Sequence, residues 1–124
     1  MDFTDKLDIL YARRSSEDGK DGESIENQIA LLKQYAADKG YYNIKVITDD
    51  GYTGTNFNRP GFQEALALIQ HRRVGRFIVK DLSRLGRNTV EVGQYIGVVF
   101  PRFGVEFISV HDGPESGDPD SLIT

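Results

Sequence analysis

Apolar positions along the chain switch between two periods. Leu7 to Leu10 is a short apolar run that predicts a first strand over residues 7–12. Ile25, Ile29, Leu32 and Ala36 then recur at helical spacing, with Ser24 placed to cap the helix and Gly40 to stop it. Gln28 sits one turn before Leu32, at the edge of this stripe, where the pattern alone makes it a surface glutamine. Asn43 to Thr48 predicts a second strand, with Ile44 and Val46 on one face. A second helix carries Phe62, Ala65, Leu66 and Ile69 on one side, and Pro60 suits its first turn. Phe77-Ile78-Val79 is unbroken, as expected of a strand covered on both faces. Asn88 can cap a third helix, in which Val92, Ile96, Val99 and Phe103 are periodic and Pro101 falls near the end. Gly93 and Gly97 weaken that helix and would let another helix approach closely. Gly104 to Val110 predicts a fourth strand. Gly19 to Glu23 and the tail from His111 to Thr124 read as polar loops, and no internal repeat is present.

Strands alternating with helices imply an α/β fold, a mainly parallel four- to five-stranded sheet with helices on both faces. The 124 residues suffice for one core. The expected organisation is one domain over residues 7–110 and a loop or tail over 111–124.

Composition narrows the chemistry. Hydrophobic residues make up 39% and charged residues 27%, a globular rather than a disordered balance. Without cysteine there is no disulfide framework and no thiolate metal site, and two histidines make a histidine-rich metal site a poor expectation. We therefore expect no metal and no cofactor. No apolar run approaches the roughly 20 residues that span a bilayer, and the acidic start Met1-Asp2-Phe3-Thr4-Asp5 is unlike a signal peptide, so no membrane and a cytoplasmic location are expected. The net charge of −4 by itself argues against nucleic acid. Its distribution argues otherwise: Arg72, Arg73, Arg76, Lys80, Arg84 and Arg87 face only Asp81 between residues 72 and 87, a local +5 on a body of −9. Such a patch can hold a phosphate at one place while gripping long DNA weakly.

Three stretches carry candidate chemistry. In Tyr11-Ala12-Arg13-Arg14-Ser15-Ser16 the period of two puts Tyr11, Arg13 and Ser15 on one surface, at the C-terminal end of a strand, where open α/β sheets bind ligands. Asp49 to Asn58 is a long polar loop with two glycines, and it leads to Arg59 at a helix N-terminus. A cation there opposes the helix dipole, a placement easier to explain if an anion binds. Arg84 and Arg87 are three apart, so a helical turn would set them side by side. The fold alone does not decide among uses of these groups. A receiver-like phosphoacceptor would use Asp49 or Asp50 with Lys80, but it lacks a matching carboxylate after the first strand. A non-catalytic assembly module would use the Gly93/Gly97 face.

Four of these features together resemble the serine recombinases of the resolvase/invertase superfamily. Tyr11-Ala12-Arg13-Arg14-Ser15 is similar to their nucleophile motif, and Gln28 falls where they carry a glutamine on the first helix. Asn58-Arg59-Pro60-Gly61 resembles a second conserved block, and Leu82-Ser83-Arg84-Leu85-Gly86-Arg87-Asn88 their arginine motif. The likeness runs from about Leu7 to Val110, and the Lys80-to-Asn88 block is most like the large enzymes of conjugative transposons and phages.

The resemblance implies a resolvase-like catalytic domain that acts on a double-stranded DNA recombination site. Ser15 would attack a backbone phosphorus and form a 5′-phosphoserine link, releasing a 3′-hydroxyl. Arg13, Arg84 and Arg87 would neutralise the transition state without metal, since planar guanidinium can bind two phosphate oxygens at once. Tyr11, Gln28 and Arg59 would support the site or contact phosphate. Many small relatives have an aspartate just before the first arginine of the arginine motif, where this chain has Ser83, with Asp81 close but not equivalent. The general acid or base is therefore left unassigned. The resemblance also implies dimers that pair into tetramers in the full-length protein. Relatives continue into a long helix that contacts the minor groove, so these 124 residues read as a catalytic domain or partial chain, inactive by itself.

Overall fold

The computed structural model describes residues 6–15, 24–53 and 55–111. The Gly19–Glu23 loop, Ser16 and the tail beyond His111 lie outside the described residues. Strands β1 (Leu7–Arg14), β2 (Ile44–Asp50), β3 (Val74–Val79) and β4 (Glu106–Ser109) form one sheet in the order β2-β1-β3-β4. Every pairing is parallel: Tyr11 lies opposite Ile47, Ile9 opposite Phe77, and Phe77 opposite Phe107. The chain therefore leaves β1 toward one edge and returns past it toward the other, a switch point at the C-terminal end of β1.

The helices cover both faces, as the alternation implied. Leu10, Ile78 and Ile108 pack with Leu32 and Ala36 of α1 (Ile25–Lys39) on one side. Ile9, Tyr11, Ile47, Phe77, Val79 and Phe107 pack on the other, against α2 (Pro60–Gln70) and the helices that follow β3. This second face holds the larger core. Phe77, Phe100 and Phe107 stack there with ring centres 5.3–6.4 Å apart. Local signals end the elements where expected. The Ser24 hydroxyl accepts from Asn27 N at 3.1 Å, and Gly40 closes α1 at φ 78°, a left-handed backbone that favours glycine.

Three departures have physical causes. β1 and β2 each run two residues past their expected ends, to Arg14 and Asp50. Arg13 and Asp49, each one residue before those ends, are buried and hydrogen-bonded, so apolar patterning stops before the ladder does. The expected third helix is divided: α4 (Thr89–Gln94), a π turn over Tyr95–Val99, then α5 (Phe100–Arg102). Pro101 has no amide hydrogen to return to the preceding turn, and Phe100 N reaches five residues back to Tyr95 O. Phe100 is fully buried, whereas Val99 and Phe103 lie at the edge of the core. Last, the basic segment is not one patch. Arg72 and Arg73 are exposed before β3, and Arg76 pairs with Asp8 at 3.2 Å and Glu106 at 3.5 Å. Lys80, Arg84 and Arg87 lie past the other end of β3, a strand length of roughly 16 Å away.

Candidate active site

Parallel strands bring their C-terminal ends together, so Ser15, Asp49 and the turn after Val79 meet on one rim of the sheet. Ser15 follows β1 and is 5% exposed. The turn is α3 (Leu82–Leu85), a single four-residue helix. Asp81 caps it, its carboxylate accepting from Ser83 N at 3.0 Å and, at very short range, from Ser83 Oγ. Gly86 ends it. The backbone there is extended, and what demands glycine is the Phe57 ring, which would lie 2.6 Å from an added Cβ.

The helical pairing of Arg84 and Arg87 is corrected by this early stop. Arg84 lies inside α3 and is buried; Arg87 lies beyond Gly86 and is exposed. Arg84 Nη1 donates to Arg13 O at 3.1 Å, and Arg84 Nε stands 3.8 Å from Asp81 Oδ1.

Two fully buried arginines, Arg13 of β1 and Arg59 at the start of α2, grip α3. Arg13 donates from Nη2 to Ser83 O at 2.7 Å, from Nε to Arg84 O at 3.3 Å and from Nη1 to Tyr52 O at 2.9 Å. Arg59 donates from Nη2 to Leu85 O at 2.5 Å, and its Nη1 lies 3.4 Å from Arg84 O. Three consecutive carbonyls at the C-terminal end of a helix thus receive two cations, the favourable sense of the helix dipole. The Arg59 guanidinium is sandwiched among Phe57, Phe62 and Tyr11, its carbon 4.7, 5.4 and 5.8 Å from the ring centres.

The anion sought at the N-terminus of α2 belongs to the chain itself. Arg59 occupies the cap position but makes no side-chain cap. Asp49 reaches over from β2 instead: Oδ1 accepts from Gly61 N at 2.7 Å and Oδ2 from Phe62 N at 2.9 Å. Oδ2 also accepts from the Tyr11 hydroxyl at 2.6 Å, and that hydroxyl accepts from Arg59 Nη1 at 2.9 Å. A continuous chain of bonds therefore joins α2, β2, β1 and α3. Burial, reinforced by the Asp49 carboxylate and opposed by Arg59, raises the Tyr11 phenol far above its ordinary range. A phenol so protonated at neutral pH is a positioning group and a poor nucleophile.

Gln28 corrects the surface expectation. It is fully buried, with Nε2 donating to Arg13 O at 3.0 Å and Oε1 accepting from Arg13 N at 3.2 Å. The side-chain amide acts as a strand partner for one residue of β1. The Arg13 carbonyl thus serves both Gln28 and Arg84, two residues before Ser15.

The structure brings Tyr11, Arg13, Gln28, Arg59 and Arg84 into one bonded unit beside Ser15, and leaves Arg87 at its margin. Sequence reasoning missed Asp49 as part of this unit. A readable signal existed: a helix beginning Arg59-Pro60 lacks a capping side chain, so its cap must come from elsewhere, and an acid ends the strand before it. Among the described residues no three metal-ligating side chains cluster, and no helix is long and apolar enough to cross a membrane.

Comparison with known proteins gives the family. The family described as Resolvase, N terminal domain, matches residues 9–123. The N-terminal catalytic domain of TP901-1 integrase is similar in structure, with 28% identity and a TM-score of 0.79, over 95% of this chain and 87% of that one. A serine recombinase from Sulfolobus solfataricus shares 31% identity at a TM-score of 0.67, over 95% and 77% of the two chains. A resolvase family site-specific recombinase from Streptococcus pneumoniae shares 26% identity at 0.73, over 95% and 80%. With its fold, its bonded arginine turn and this likeness over nearly the whole length, the chain belongs to the resolvase family, as the catalytic domain of a serine site-specific DNA recombinase.

Proposed function

We propose that Ser15 is the nucleophile of this recombinase, attacking a phosphorus of the recombination site to give a 5′-phosphoserine link and a free 3′-hydroxyl. One phosphate ester replaces another, so the reaction is nearly isoenergetic and reverses on religation. The observation that carries the reading is the stitch between β1 and α3. Arg84 and Arg13 bond each other's backbone carbonyls two residues before Ser15, which fixes a cationic turn against the strand that carries the hydroxyl.

Within this reading the arginines divide the work. Arg84 and Arg87 meet the scissile phosphate, Arg84 from the stitched turn and Arg87 from the exposed segment after it. Arg13 adds its charge beside Ser15 while three of its N–H groups hold carbonyls. Arg59, buried like Arg13, supports the turn through Leu85 and Tyr11. Gln28 fixes the backbone of Arg13. The DNA partner is a double-stranded recombination site, and the full-length chain works as dimers that pair into tetramers. Domain bounds of 7–110, with 111–124 leading away from the catalytic part, complete the proposal.

The test is a full-length recombinase presented with a nicked suicide duplex. A covalent adduct should form, and mass spectrometry should place the nucleotide on Ser15; Ser15→Ala should give none. An adduct on another side chain would refute the assignment.

A further inference from the structure

Transesterification at Ser15 needs a group that takes the hydroxyl proton. The guanidinium groups around the site hold their protons throughout the physiological range. Tyr11 is kept neutral and donates to Asp49. Asp49 has both oxygens occupied by three donors and is 2% exposed. Asp50 is exposed at the end of β2, on the side of β1 away from α3. Asp81 differs from both. Among the described residues its side chain has three contacts, from Ser83 N, Ser83 Oγ and Arg84 Nε, and all three fall on Oδ1. Its side chain is 26% exposed, open to proton exchange with water.

We propose that Asp81 is the proton acceptor for Ser15, working through the hydroxyl of Ser83. The proposal rests on the serine mechanism above and adds its missing base. Ser83 is joined to β1 by the bond from Arg13 Nη2 to its carbonyl, and Ser15 lies about 7 Å further along that strand direction. The Ser83 hydroxyl already donates to Asp81, so it has lone pairs for an incoming proton. In cleavage the Ser15 Oγ–P bond forms and the P–O3′ bond breaks. The Ser15 proton passes by way of bridging water to Ser83 Oγ, whose own proton moves to Asp81 Oδ1. The departing 3′ oxygen takes a proton from water, and the hydroxide left behind is neutralised by the proton on Asp81. Religation runs the same path backward.

Asp81→Asn tests this cleanly, because asparagine caps a helix as well as aspartate does and so preserves α3. The assay is single-turnover cleavage by the full-length recombinase at saturating DNA. The charged and titratable groups around Asp81 are Arg84 on its own turn, Lys80 before it, Arg13 from β1 and His111, whose backbone N bonds Lys80 O from the end of β4. Imidazole is the side chain whose charge ordinarily changes between pH 5 and 8, so pH profiles are taken in a His111→Gln background. We expect Asp81→Asn to slow cleavage by about 10²–10⁴-fold with unchanged DNA affinity, and to abolish the acid limb of the pH–rate profile. Ser83→Ala should slow cleavage too, and Ser83→Asp in the Asp81→Asn background should restore it by putting a carboxylate where the relay hydroxyl stood. Cleavage by Asp81→Asn at the normal rate, or failure of that restoration, would overturn the proposal. So would rescue of Asp81→Asn by a 3′-phosphorothiolate substrate, because a thiolate leaves without protonation and the defect would then lie at the leaving oxygen. An adduct persisting in Ser15→Ala would refute the nucleophile instead, which keeps the two failures apart.

Discussion

Asp49→Asn isolates the buried carboxylate that ties α2 to β1 and changes no volume. The carboxylate accepts three hydrogen bonds, one on Oδ1 and two on Oδ2. An amide can keep only one accepting atom there. Its better orientation turns the oxygen toward Tyr11 and Phe62 and the NH₂ toward Gly61 N, donor against donor. One buried backbone N–H then lacks an acceptor, at about 1–3 kcal/mol. The other two bonds change from charged to neutral acceptors, losing roughly half their strength, about 1 kcal/mol each. The sum is about 3–5 kcal/mol, a large part of the ~5–15 kcal/mol that holds a domain folded. Urea unfolding followed by circular dichroism reads it directly. With a slope of about 1.5 kcal/mol per molar, the midpoint should fall by about 2–3 M. A fall below ~0.3 M would mean that the three bonds contribute almost nothing and that Asp49 does not lock α2 to the sheet.

Gly61→Ala attacks the same junction from the helix side. An added Cβ would lie 2.7 Å from Thr48 O and 2.8 Å from Asp49 Oδ2, and a backbone oxygen cannot step aside, so a loss of about 1–3 kcal/mol is expected in the same urea assay. Tyr11→Phe should change alkaline behaviour. The native phenol holds its proton more tightly than the unfolded one, so between the unfolded value near 10 and the raised native value the folded state carries the extra proton, and stability falls as pH rises. The slope from this group is about 1.4 kcal/mol per pH unit, and unfolding measured from pH 9 to 11.5 should lose that share in Tyr11→Phe. An unchanged slope would contradict the burial of the phenol. Gln28→Ala should cost about 1–3 kcal/mol by leaving Arg13 N without its acceptor, while Gln34→Ala, on the exposed side of α1, should stay within ±0.5 kcal/mol.

The frame was legible because apolar periodicity is a statement about burial, and burial fixes the layers. Ile9 and Leu10 already assign the two faces of β1, and Ser24, Gly40 and Asn88 mark helix ends by short-range chemistry that needs no tertiary context. Pro101 was legible as a nearby end but not as a π turn, since the outcome depends on where Phe100 packs. The candidate site was legible as a list of residue types and not as a wiring. Gln28 read as a surface glutamine and Arg13 and Arg59 as groups turned toward a ligand, because a polar side chain gives no sign of partners inside the chain. Their partners are mostly backbone carbonyls and amides, which carry no signature in a sequence. The helical pairing of Arg87 with Arg84 was misread for the opposite reason: their spacing suits a helix, but α3 ends at Leu85, two residues before Arg87.

The double grip on residues 83–85 has a consequence for anyone building chimaeras from this enzyme. Arg13 comes from the first strand and Arg59 from the start of the second long helix, yet both hold adjacent links of one short turn. A graft that exchanges the turn alone would still meet both clamps, whereas one that exchanges a clamp alone would strand a guanidinium in an aromatic slot. Transplants should therefore move the strand end, the Asp49–Phe62 crossover and the turn as a set, with their joins in the outer helices.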